Sequence, residues 1–304
     1  VLFNTSPTPD SLKTILQAHR SLGTHELMIT LITSDDATIY EALDTVEYGI
    51  EHNIQGLLGI HLEGPMINSL KRGIHFEKDI HTLSDQLLNQ IQSKHLGKVL
   101  ITLAPESVDP HIITELTDAG IIVFAGHSNA TADEAQGGID CGISGFTHLF
   151  NAMPPMLSRE PSILGFALSH RQSWGTIIHD GIHVDPIMVK IALEAKHLDN
   201  MILVTDAMAT LGSTMDSFDF NGHTIYKKDN RLVNHEGKLV GAHIDLLSSL
   251  NNTINLGYSF ESALPLVTKN PAKALDLYPL IGSLKKGAKA NVNWINNAMI
   301  KAII

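Results

Sequence analysis

The feature that most constrains this chain is a regular alternation. Short apolar, β-rich runs recur along it: "HELMITLITS" (25–34), "GLLGIHLEGP" (56–65), "KVLITLAPE" (98–106), "GIIVFAGHS" (120–128), "GFTHLFNAM" (145–153), "WGTIIHDGIH" (174–183) and "MILVTDAM" (201–208). Between them, segments 36–52, 84–93, 111–119, 130–138 and 185–196 space their apolar residues as helices do. Parallel neighbours need a crossover long enough to hold a helix, so this alternation predicts βαβ units and a parallel sheet. The near-continuous apolar runs agree, because parallel strands are covered on both faces. Seven such strands are one short of a (β/α)8 barrel. No Gly-rich phosphate loop follows any of them, which weighs against a doubly wound dinucleotide-binding sheet.

After Asp206 the pattern changes. Residues 218–242 alternate apolar and polar side chains around Asn221-Gly222, Lys228–Asn230 and His235–Gly237, which predicts an antiparallel meander. Helices are expected over 244–256 and 260–275, with Asn270-Pro271 starting a new helix inside the second span. The tail "ANVNWINNAMIKAII" reads as strand again. The expected organisation is a barrel over 1–212, a small antiparallel segment over 213–242, helices packing on the barrel over 243–278 and a C-terminal β segment over 279–304. The fold class is thus α/β: a TIM-like (β/α)8 barrel short of one strand, plus a small β domain built from the C-terminal part.

Composition excludes several functions. A formal charge of −11 argues against a nucleic-acid surface, which needs clustered Lys and Arg. No apolar run approaches the ~20 residues that span a bilayer, and the N-terminus carries no signal-peptide pattern, so no membrane partner is expected. Cys141 is the only cysteine, so no disulfide forms within the chain, which fits a reducing cytoplasm. It lies between Asp140 and Gly142 in a turn-like stretch and is a poor nucleophile candidate.

The strand ends hold the chemistry. Thr33, Glu63, Glu106, His127, His148, His183 and Asp206 each close an apolar run, where barrel enzymes place catalytic residues. Glu63 poses the sharpest question, because it ends a strand expected to be buried on both faces. A buried carboxylate is costly unless it is paired or meets a metal. Glu63, His127 and His148 offer carboxylate oxygen and imidazole nitrogen from three strand ends, a donor set suited to a divalent ion. Their spacing is too open to count as a compact metal motif. His61 shares a strand face with Glu63 and reads as a packed histidine rather than a ligand. Glu106 is either a rim carboxylate or a site contact. Arg159-Glu160 is either a surface ion pair or a phosphate anchor. Asp180 and Asp185 are open between caps and ligand contacts.

"HLEGP", "APE", "AGHSNAT", "THLFNAM", "REPSILG", "DGIHVD", "LVTDAM" and "NPAKAL" occur in one order, and together they resemble the N-acetylglucosamine-6-phosphate deacetylases, a branch of the amidohydrolase superfamily. The resemblance covers almost all of the chain. It implies metal-dependent hydrolysis of the acetamide of N-acetylglucosamine 6-phosphate to glucosamine 6-phosphate and acetate, in a cytoplasmic homodimer. The alternatives are another N-acyl amino sugar phosphate, such as the galactosamine epimer, or an inactive sugar-phosphate-binding homologue. It implies Glu63, His127 and His148 as ligands of one divalent ion, zinc first, with iron, cobalt, nickel or manganese also fitting. Asp206 matches the catalytic aspartate, and His183 matches the histidine at the acetamide carbonyl. Ile74 and His75 of "RGIH", Asn151 and Ala152, Arg159, and Leu239, Val240, Gly241 and Ala242 of "KLVGA" match substrate contacts. Arg159 matches a phosphate-binding arginine that reaches in from a neighbouring subunit in some relatives. The chain departs from the family in showing no strand that would be the barrel's first, nor its His-x-His pair, so at most one metal is expected. His243 and Asp245 stand where relatives often carry small hydroxyl residues.

Overall fold

Each apolar run folds as a strand in the computed structural model, which describes residues 1–296 and 299–303. Two compact units are present, Val1–Gln17 with Glu26–Ala167 and Ala18–His25 with Leu168–Ile304.

The first unit carries β1 (Leu27–Ile32), β2 (Leu57–Glu63), β3 (Lys98–Leu103), β4 (Ile122–Ala125) and β5 (Gly145–Phe146), each parallel to the next in chain order. In β2, Ile60 and Leu62 are as buried as Glu63, as a strand covered on both faces requires. The approach of β3 to β2 depends on Gly59: its φ is +150°, and a Cβ there would stand 1.9 Å from the Lys98 carbonyl oxygen. The crossovers are α2 (Asp36–Glu51), α3 (Asp85–Ser93), α4 (Pro110–Asp118) and α5 (Ala132–Asp140), preceded by α1 (Pro9–Ser21). Their starts follow local chemistry. Asp35, Ser84 and Asp109 accept from backbone N–H groups of the first turn, and Thr131 with Glu134 forms a capping box. Ser162–Ser169 forms a further helix that apolar spacing did not predict, because SILGFALS is apolar on every side.

The second unit carries a parallel pair, β6 (Trp174–Ile178) and β7 (Met201–Val204), with a helix over Pro186–Lys196 between them. Asp185 caps that helix, accepting from Ile187 N–H. The expected meander is a four-stranded antiparallel sheet of β8 (Ser217–Phe220), β9 (His223–Lys228), β10 (Arg231–Val233) and β11 (Leu239–Ala242). Ile178, Ala242 and Ile244 pack together beside Val204. Helices follow at Leu246–Asn255, Phe260–Ala263 and Lys269–Ala274, the last beginning inside the predicted span as expected. β12 (Asn293–Asn296) and β13 (Met299–Ile303) pair in the tail; Asn297, Ala298 and Ile304 lie outside the described residues. The fold class is as expected: α/β, with seven parallel strands in chain order and a small antiparallel sheet from the C-terminal part. Among the described residues no helix is long and apolar enough to cross a membrane.

Candidate functional site

The first unit brings Glu63, His127 and His148 together. His148 Nε2 lies 3.0 Å from Glu63 Oε1 and 3.0 Å from His127 Nε2, and His127 Nε2 lies 3.2 Å from the same carboxylate oxygen. All three side chains are buried. Proton accounting shows why this triangle suits a cation. His127 Nδ1 is 2.8 Å from the Lys71 carbonyl oxygen, which can only accept, so Nδ1 carries the hydrogen and Nε2 presents a lone pair. Glu63 Oε1 also only accepts. With both imidazoles neutral, at most one hydrogen, on His148 Nε2, is available to three mutually touching atoms. A divalent ion satisfies all three at once. The spacing fits too, since ligands at about 2.0–2.1 Å from a tetrahedral ion stand roughly 3.3 Å apart. A histidine ligand whose other nitrogen is held by a backbone carbonyl is the usual arrangement around metals.

Burial by itself would raise the Glu63 carboxyl; when no ion is bound, hydrogen bonds donated by His127 and His148 and positive charge on these rings outweigh burial and hold it well below the usual carboxylate range. The backbone is constrained as well. His127 and His148 sit at φ 48° and 31°, where residues other than glycine are uncommon. Such conformations cost on the order of 1 kcal/mol each and persist where surrounding contacts enforce them.

His75 joins this cluster rather than standing at its edge. It is 4% exposed, its ring centroid lies 4.4 Å from that of His127, and its Nε2 lies 3.9 Å from Glu63 Oε2. Glu63, His75 and His127 form a buried group close enough to share an ion. Thr33 Oγ1 donates to the Glu63 carbonyl and therefore accepts from His75 Nδ1 at 2.7 Å, which turns the His75 Nε2 lone pair toward the carboxylate. Burial, and then the neighbouring His127, push the His75 imidazole well below its ordinary value. Sequence reading placed His75 against substrate; its closeness to Glu63 had no sequence signal beyond the polar strand end at Thr33.

His61 takes the packed role. Its Nδ1 meets Thr30 Oγ1 at 3.1 Å and its Nε2 meets Thr102 Oγ1 at 2.8 Å, and desolvation pushes it down to about 4. Asn151 Nδ2 donates to the carbonyls of His148 and Leu149, and the Ala152 carbonyl accepts from Ser128 N–H, so both lie beside the histidine-bearing turns. Ile74 is half-buried next to His75. Arg159 is exposed and, among the described residues, forms no ion pair with Glu160.

The second unit holds the other candidates. His183 lies beyond the end of β6, in the turn that follows it. Asp180 organises that turn: Oδ1 accepts from the Ile182 and His183 N–H groups, and Oδ2 pairs with His183 Nδ1 at 2.6 Å. Burial would raise the Asp180 carboxyl, but these donors outweigh it and hold it low. With Nδ1 committed, His183 keeps Nε2 for a ligand. Asp206 is exposed just past β7, at φ 47°. Its carbonyl accepts from Ala242 N–H, and Met208 N–H donates to the Ala242 carbonyl, so Asp206 is brought beside the Leu239–Ala242 strand. Leu239 is exposed, Val240 and Ala242 are buried, and Gly241 at φ +57° passes close to Met208. His243 Nδ1 bonds Thr210 Oγ1 at 2.8 Å.

Comparison with known proteins agrees with this geometry. The model of the amidohydrolase family matches residues 57–303. A curated N-acetylgalactosamine-6-phosphate deacetylase of a Shewanella species is 36% identical over 300 residues, covering 98% of this chain and 75% of its own. The N-acetylglucosamine-6-phosphate deacetylase of Haemophilus influenzae is 31% identical, covering 96% and 77%. The solved structure of N-acetylglucosamine-6-phosphate deacetylase from Pasteurella multocida superposes with a TM-score of 0.95 at 32% identity, covering 100% of this chain and 80% of that one. The chain belongs to the amidohydrolase family. Within it, relatives named for either of two epimeric sugar phosphates are similar at comparable identity.

Proposed function

We propose that this chain is a metal-dependent hydrolase that removes the acetyl group from an N-acetylhexosamine 6-phosphate, with N-acetylglucosamine 6-phosphate as the substrate and glucosamine 6-phosphate plus acetate as products. The observation that carries this reading is the convergence of Glu63 Oε1, His127 Nε2 and His148 Nε2 with too few hydrogens to satisfy one another. The galactosamine epimer is the second reading, favoured by the 36% identity to the Shewanella enzyme named for it.

Glu63, His127 and His148 would hold one divalent ion, zinc first among the metals this donor set accepts. A bound ion of this kind supplies Lewis acidity and lowers the pKa of a coordinated water toward about 7. In the proposal the Asp206 carboxylate takes a proton from the attacking water and returns it to the leaving amine nitrogen. The Asp180 carboxylate, which accepts from Nδ1–H, supports His183 as an imidazolium, whose Nε2–H donates to the acetamide oxygen as negative charge develops there. The Arg159 guanidinium pairs with the phosphate, for which its planar fork is suited. Asn151, Ala152, Ile74, His75 and Leu239–Ala242 line the sugar. A homodimer, with Arg159 serving the neighbouring copy, belongs to the same proposal.

The test is acetate release from each hexosamine phosphate with added Zn²⁺, against a chelated control. Chelator-sensitive release is expected, and the larger kcat/KM names the epimer. No release from either sugar by a metal-loaded protein would favour an inactive sugar-phosphate binder. Replacing Asp206 with Asn should lower kcat by about 10²- to 10⁴-fold with metal retained. Full activity in Asp206→Asn would show that the proton transfer belongs to another group.

A further inference from the structure

Glu106 sits at the end of β3, in the single 3-10 turn Pro105–Ser107, and the proposed mechanism does not use it. Its carboxylate spans two loops. Oε1 accepts from Asn68 Nδ2 at 3.0 Å and from the Asn129 backbone N–H at 2.6 Å, while Oε2 accepts from Ser128 Oγ at 2.7 Å. Asn68 follows β2, five residues beyond Glu63; Ser128 directly follows His127. The same two loops meet through the backbone, where Asn68 N–H donates to the His127 carbonyl at 2.9 Å. Ser128 is fully buried, and its Oγ also accepts from Ala130 N–H at 3.0 Å, so the hydroxyl hydrogen is directed at Glu106.

We infer that Glu106 is a positioning residue: its carboxylate ties the loop after Glu63 to the loop that carries His127 and so sets the spacing of the two ligand atoms. Three charge-assisted hydrogen bonds from two loops make a short, directional strut, each stronger than a neutral bond of the same length. The strut explains how His127 is kept at φ 48°, because the residues on its C-terminal side are fixed by a group in the turn after β3. Small displacements matter here, since the ligand atoms lie 3.0–3.2 Å from one another. A carboxylate suits the place because it offers acceptors only, and all three partners are donors.

This inference rests on the metal reading, and the experiment separates the two. Zn²⁺ affinity of the full chain is measured by competition with a chromophoric chelator for the parent, Glu106→Gln and Glu106→Ala, alongside thermal unfolding of the metal-free proteins. Glutamine keeps the two Oε1 contacts, its oxygen accepting from Asn68 and Asn129, while its amide replaces the acceptor that Ser128 Oγ–H meets. Groups that orient metal ligands typically change affinity by about 10- to 100-fold. The expected result is a loss of about tenfold or more in Glu106→Ala and a smaller loss in Glu106→Gln, which keeps two of the three contacts. Parent-like affinity in Glu106→Ala overturns the strut. Equal losses in Ala and Gln variants also overturn it, because charge rather than hydrogen bonding would then be responsible. Should Glu106→Ala fail to fold, Ser128→Ala removes the Oε2 contact together with the bond from Ala130 N–H, and unchanged affinity in that variant overturns the inference. If the parent itself holds no metal, it is the metal reading that fails.

Discussion

At the scale of single residues, the decisive property is which atom carries a hydrogen. Glu63 is tolerated at the buried end of β2 because His127 and His148 face it, and His127 is turned by a backbone carbonyl far away in sequence. Replacing Glu63 with Gln keeps the shape but removes the anionic oxygen and adds hydrogens to a crowded set of acceptors. Zn²⁺ affinity should fall at least about tenfold, as measured by chelator competition. Asp180 offers a second test at this scale. Its Oδ2 accepts from His183 Nδ1–H, and its negative charge supports the second hydrogen on Nε2, so Asp180→Asn, which removes that charge, should weaken the Nε2–H donor. A kcat loss of about 10²-fold or more is expected, with KM changed far less. Equal losses in kcat and in substrate affinity would mean that Asp180 only supports the turn. The candidate ligands Glu63, His127 and His148 were legible because each is a polar residue that closes an apolar run. The partners that aim them were not: the Lys71 carbonyl is backbone, and Thr33 is one of many strand-end threonines and serines.

At the scale of elements, periodicity located every parallel strand and most crossovers, because burial on two faces and on one face leave different patterns. Lengths were less legible. The run 145–153 suggested a long strand, whereas β5 is only Gly145–Phe146. The chain leaves the sheet there to place His148 at φ 31°, Phe150 at 75° and Ala152 at 50°, backbone angles that no strand can hold. The same logic applies to His183, expected at a strand end but found in the turn after β6, which Asp180 builds. The β2–β3 ladder makes a prediction of its own. A side chain at Gly59 would collide with the Lys98 carbonyl, so Gly59→Ala must spread the two strands. It should destabilise the protein by about 2 kcal/mol or more, read as a lower urea midpoint, and should weaken metal binding through the displaced Glu63. An unchanged midpoint would show that the ladder yields at no cost.

At the scale of the molecule, ligand binding and a buried charge each bear on stability. A ligand that binds only the folded first unit stabilises it by mass action, about 2.7 kcal/mol at a free concentration roughly 100 times Kd. Zn²⁺ should therefore raise the unfolding temperature and chelation should lower it, with Glu63→Gln insensitive to both. In the second unit Lys196 is fully buried at the end of its helix, donating to the His170 carbonyl at 2.8 Å and to Ser173 Oγ at 3.0 Å. Burial pushes its ammonium down to about 7. Between that value and the ordinary lysine range the unfolded chain binds the extra proton, so stability contributed at this site rises with pH across about pH 7 to 10 and is lowest below about 7. The stability difference between the parent and Lys196→Met should climb over that window by up to about 1.4 kcal/mol per pH unit, measured by urea unfolding. A flat difference would mean that Lys196 keeps its charge in the folded state.

The sequence by itself determined the order and kind of the elements, because solvent exclusion writes a period of about 2, a period of about 3.6 or an unbroken apolar run into any chain that must hide its strands and helices. It also determined which residues could serve as metal ligands, since few side chains have lone pairs worth burying. Only the tertiary structure decided how those lone pairs point. That His75 turns toward Glu63, that His127 gives its hydrogen to Lys71, and that Glu106 spans two loops all depend on atoms brought together from distant parts of the first unit. Hydrogen-bond strength falls off within about an ångström, so it is fixed by three-dimensional neighbours and leaves no periodic trace along the chain.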